Sequence, residues 1–102
     1  MQAGKIGELL AATGGQFSAA IASGSNTTTL KSGAGRLCRV SITTAGTASF
    51  TIFDNTSGSG TALFVSPATT AVGTCFDVHM PAQLGITVVN VASGPAFTVS
   101  FN

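Results

Sequence analysis

The chain has 102 residues, of which four are Lys or Arg and three are Asp or Glu, for a formal net charge of +1, where an average soluble domain of this length carries about 25 charged residues. Lys5, Lys31, Arg36 and Arg39 are too few to form a basic track for a phosphate backbone, and no stretch reaches the roughly 20 continuous apolar residues of a membrane-spanning helix. Nucleic acid and membrane are therefore excluded as expected partners. What remains is a neutral skin of hydroxyls, small apolar groups and backbone, which repels little and is suited to lying against other protein.

The length suffices for one domain with a modest core. In chain order, residues 1–13 carry helix-compatible Glu8, Leu9, Leu10, Ala11 and Ala12, but Gly4, Gly7, Gly14 and Gly15 limit any helix to about two turns, below what is stable alone. This segment reads as an extended or short-helical arm. It holds one Lys, one Glu and almost no continuous apolar block, unlike a secretory signal, so synthesis in a cytoplasm is expected. Strands are predicted over 16–22 and 27–31, separated by Ser23-Gly24-Ser25-Asn26.

From there the dominant signal is alternation with period two, broken every eight to twelve residues by turn-forming clusters, the pattern of an all-β sandwich or barrel. Over 36–44, Cys38, Val40 and Ile42 alternate with Arg39, Ser41 and Thr43; over 47–53, Ala48, Phe50 and Ile52 alternate with Ser49 and Thr51. Ala45-Gly46 between them predicts a tight hairpin. Asp54-Asn55-Thr56-Ser57-Gly58-Ser59-Gly60 reads as a loop, followed by a strand over 61–66 and a loop over 67–73. Over 74–80, Phe76, Val78 and Met80 alternate with Cys75, Asp77 and His79. Residues 85–91 are apolar on both parities and are expected to be buried or covered on both faces. Ser93-Gly94-Pro95 turns the chain into 96–101, where Phe97, Val99 and Phe101 oppose Thr98 and Ser100. The expected fold is an antiparallel β-sandwich, jelly-roll-like, of about 7–8 strands. The arm and first strand or strands fill residues 1–30 and the sandwich core 31–102.

Cys75, Asp77 and His79 put three reactive residue types on one strand face, but one flat strand supplies neither the orienting group nor the oxyanion donor that a nucleophile needs. No catalytic residue is assigned and the chain is expected not to be an enzyme. Cys38, Cys75 and His79 lack the paired spacing of a zinc site, and the loop from Asp54 to Gly58 has one carboxylate, weak for calcium, so no metal or cofactor is expected. By parity Cys38 faces the core when Cys75 faces out, which argues against a disulfide between them. Ser32-Gly33-Ala34-Gly35 lacks the Gly-Lys-Ser/Thr ending of a phosphate loop and reads as a turn. Asn26-Thr27-Thr28 and Asn55-Thr56-Ser57 match the glycosylation triplet, which is uninformative without a secretory route. Arg36 and Arg39 are solvated strand charges and, on so uncharged a chain, candidates for pairing with a partner's carboxylates.

The run from Lys31 through Gly33-Ala34-Gly35-Arg36-Leu37 to Val40, then Thr44-Ala45-Gly46-Thr47, Thr51-Ile52-Phe53-Asp54-Asn55-Thr56-Ser57 and the closing Gly85-Ile86-Thr87-Val88 with Phe97-Thr98-Val99-Ser100-Phe101, resembles small virion accessory proteins of tailed bacteriophages, the capsid cement or decoration proteins. Leu84-Gly85 departs from that pattern, which has the glycine first. The resemblance implies a homotrimer on the exterior of the virion, binding the major capsid protein and bridging neighbouring capsid subunits, with avidity from equivalent contacts. The arm would then act as a strap, with Leu9, Leu10, Phe17 and Ile21 as candidate anchors beside Arg36 and Arg39. The competing reading is a head-fibre, tail or receptor- or carbohydrate-binding module; the absence of Trp and Tyr, the residues that stack on sugars, weighs against it.

Overall fold

The computed structural model describes residues 17–102. They form β1 (Phe17–Ile21), β2 (Asn26–Ser32), β3 (Gly35–Thr44), β4 (Thr51–Asp54), β5 (Thr61–Val65), β6 (Cys75–Ala82), β7 (Gly85–Asn90) and β8 (Ala96–Phe101). All pairings are antiparallel, in two four-stranded sheets of order β1-β8-β3-β6, here sheet A, and β2-β7-β4-β5, sheet B. Every connection except β4–β5 crosses from one sheet to the other. That is the double-sheet jelly roll, so the expected fold class holds. β2 runs across the expected division at Lys31, and β1 and β2 are edge strands of the sandwich itself.

The alternating apolar residues fill the space between the sheets. Val40, Ile42, Phe97 and Val99 of sheet A face Ile52, Ile86 and Val88 of sheet B, all within 2% of complete burial. Phe50 stacks on Phe97 with ring centroids 3.9 Å apart and meets Phe64, which in turn meets Phe76. These rings bridge the sheets where the chain crosses between them, and each brings a large apolar area to a small core.

The predicted hairpin at Ala45-Gly46 is not formed. β3 lies in sheet A between β6 and β8, whereas β4 lies in sheet B between β5 and β7. Residues 45–50 are a crossover between layers: Gly46 bridges Thr70, and Thr47 and Ala48 both donate their N–H to the Ser93 carbonyl. Gly46 is needed for close approach, since a Cβ there would run into the backbone of Gly94 and Pro95. A two-residue Ala-Gly connection between alternating runs satisfies the local chemistry of a hairpin, but β3 finds better-buried partners far along the chain.

A bulge adjusts the alternation. Between Leu37 and Arg39 the register of β3 shifts against both β6 and β8, so Leu37 and Val40 both reach the core while Arg36 and Arg39 both face out. The matching irregularity on β6 falls at His79, a non-glycine residue at φ 52°. Cys38 is buried and Cys75 exposed, and the two are not bridged, as parity predicts.

Candidate functional site

The outer faces of the two sheets differ in what covers them. On sheet B the loop after β4 folds back over the strands: Thr29 Oγ1 donates to the Thr56 carbonyl at 3.3 Å, Thr87 Oγ1 donates to the Asn55 carbonyl at 2.8 Å, and Gly58 lies against Val89. This explains why β7 is apolar on both parities, with even Thr87 fully buried. Asp54 anchors the loop's start. Its Oδ1 accepts the N–H groups of Gln83, Leu84 and Gly85 at 2.9, 2.8 and 3.4 Å. The Leu84 N–H above all, helped by those of Gln83 and Gly85 and opposed by partial desolvation, holds the carboxyl below its ordinary value. Asp54 is thus committed to the β6–β7 turn.

Sheet A has no such cover among the described residues. Two rows of side chains cross all its strands on the outer face. One is Ala20, Thr98, Ser41 and Cys75, and the other Ser18, Ser100, Arg39 and Asp77. Every member is exposed or half-buried. The residues are small or hydroxylated, so the face is flat, and its charges are nearly balanced. Arg39 Nε donates to Asp77 Oδ1 at 2.7 Å, with both side chains about half exposed at 48% and 60%. A pair so exposed is screened by water and salt and fixes orientation more than stability. Arg36 sits beside the rows and donates from Nη2 to the His79 carbonyl at 3.3 Å.

Of the residues singled out from the sequence, Arg36 and Arg39 lie together on this face. Phe17 opens β1 at one end of the sandwich, 54% exposed and packed on Phe101 with centroids 5.8 Å apart. Ile21 is a correction: it is 4% exposed and part of the central core, because β1 pairs in register with β8 and places Ile21 opposite Phe97. Leu9 and Leu10 fall outside the described residues. The row of Cys75, Asp77 and His79 is interrupted by the bulge at His79, and its carboxylate is taken by Arg39. Among the described residues no group of three or more His, Cys, Asp or Glu side chains is placed to hold a metal. Cys38 is fully buried, and that burial pushes its thiol up, partly opposed by Arg36 and Arg39, which disfavours the reactive thiolate.

Ser18, Ala20, Ser41, Thr98 and Ser100 were not singled out from the sequence as site residues. Their alternation with core residues is visible strand by strand, but that they share one uninterrupted face depends on pairings between distant segments. No protein-family model, curated protein or solved structure matches this chain.

Proposed function

We propose that the chain is a non-enzymatic structural subunit of a virus particle: a decoration protein that sits on the exterior of a tailed-phage capsid as a homotrimer and bridges neighbouring copies of the major capsid protein. The observation that carries this reading is the open outer face of sheet A. It is flat, four strands wide and made mostly of small or hydroxylated side chains, with its charge confined to Arg36 and the Arg39–Asp77 pair, and its hydroxyls supply hydrogen bonds of the kind found across protein interfaces. Arg36 beside the rows and Arg39 within them carry guanidinium groups able to meet carboxylates on a partner. The motif resemblance to capsid cement proteins points the same way. Jelly rolls recur among capsid and lectin domains alike, so the fold is compatible with the reading without selecting it.

The test is co-sedimentation of the purified chain with capsids of the phage that encodes it, beside a glycan-binding assay. Saturable binding to capsids and none to glycans is the expected result. Binding to glycans with no affinity for capsids would replace this reading with a receptor module.

A further inference from the structure

Three of the sandwich's edges are guarded against pairing with other strands. β6 is distorted at His79, with its positive φ, and carries Asp77 and Pro81; β2 is bulged at Leu30 and carries Lys31; β5 is irregularly paired with β4. Such devices are how natural sheets avoid edge-to-edge association. β1, Phe-Ser-Ala-Ala-Ile, has no charge, no proline and an unbroken register with β8. Beside it lies an apolar groove of about 360 Å³, lined by Phe17, Leu30, Lys31, Ser32 and Phe101.

The edge of β1 has a defined hydrogen-bonding phase. Arg36 and Asn102 exchange N–H···O bonds at 3.1 and 2.9 Å, so Asn102 faces β3, and by alternation Phe101, Val99 and Phe97 face β1. Phe17, Ala19 and Ile21 therefore bond to β8, while Ser18 and Ala20 turn their N–H and C=O groups to the open edge. A two-residue turn at Gly14-Gly15, a pair suited to the φ > 0 that such turns need, would make Thr13 and Gln16 the first bonded pair. Such a turn would bring Ala11 to Ser18 and Leu9 to Ala20, the two residues whose groups point outward.

We propose that residues 9–13 of the same chain dock as a further strand on the open edge of β1, turned back by Gly14-Gly15, with Leu10 and Ala12 closing the groove. Directly opposed residues point to the same side, so Ala12 and Leu10 follow Phe17 and Ala19 inward, where Ala19 and Leu30 are only partly buried. Leu9 and Ala11 join Ser18 and Ala20 on the outer face. Glu8 would come next on the inward side, opposite the buried Ile21, which ends the strand at Leu9. The chain's own segment is the occupant because it arrives at Phe17, which itself lines the groove, and a tether this short supplies an effective concentration in the millimolar range. The placement does not depend on the capsid reading, but it widens the same face and gives it one large apolar side chain, Leu9.

Residue-resolved amide hydrogen exchange of the full-length protein tests this, against full-length Ala11→Pro, which removes the donor to Ser18, and Gly15→Val, which disfavours the turn. Ser18 and Ala20 are expected to exchange at least about fivefold more slowly in the native chain than in either variant. Ala19, bonded to β8, should be equally protected in all three and so reports an intact fold. Equal exchange at Ser18 and Ala20 in native and variant chains overturns the proposal. Protection that disappears on dilution overturns it too, because the strand would then come from a second copy.

Discussion

At the scale of single residues, the buried polar groups decide which substitutions matter. Asn90 is 2% exposed and ties the β1–β2 and β7–β8 loops together: Nδ2 donates to the carbonyls of Ala22 and Pro95 at 3.0 and 2.9 Å, and Oδ1 accepts from Val91 N–H at 3.0 Å. Asn90→Ala leaves those backbone groups without partners and should cost about 2–3 kcal/mol in denaturant unfolding. Thr70 is the opposite case, a buried hydroxyl with no hydrogen-bond partner among the described residues. Thr70→Val keeps the shape, and a gain of about 1 kcal/mol is expected in the same measurement. Asp54 makes stability depend on pH. Its carboxyl is held below the ordinary value in the folded chain, so its contribution is complete above about pH 4, where the unfolded carboxylate is ionised, and is lost as pH falls through the lower folded value. Thermal melts of Asp54→Asn should lie below those of the native chain at pH 7, with the gap closing as the pH drops below about 4. A gap that stays constant would show that the charge has no part in it.

At the scale of elements, each strand is written into its own residues, whereas the pairing of strands is not. Phe97, Val99 and Phe101 against Thr98 and Ser100 identify β8 and its core face without any knowledge of neighbours. The doubly apolar β7 likewise announces a strand covered on both sides, and the cover proves to be the loop running from Asp54 to Gly60. The β3–β4 connection misleads because Ala45-Gly46 fits a hairpin, and only the distant Ser93 and Thr70 backbones reveal a crossover. The bulges at Cys38 and His79 are similarly silent, since alternation read from Val40 toward the N-terminus puts Leu37 outside although it is fully buried. The open face of sheet A inherits this limit, being assembled from four segments spread over the chain. The crossover itself is testable: Gly46→Ala forces a Cβ into Gly94 and Pro95 and should cost about 1–3 kcal/mol, while a change of that kind in an exposed hairpin turn would cost far less.

At the scale of the whole molecule, the two outer faces differ in how far the described residues cover them. Sheet B wears its own loop; sheet A presents small and hydroxylated side chains with one mutually satisfied ion pair. The protein carries its own reporter of that face. Cys75 is exposed and stands opposite Ser41 at the end of one outer row, while Cys38 is buried and its thiol pushed up by that burial, so a thiol reagent distinguishes them without any mutation. The direct measurement is the rate at which Cys75 is labelled in the free chain and in the chain sedimented with capsids. Ready labelling when free and strong protection when bound are the expected result. Equal labelling in the two states would contradict it, because the face would then remain open to solvent on the particle.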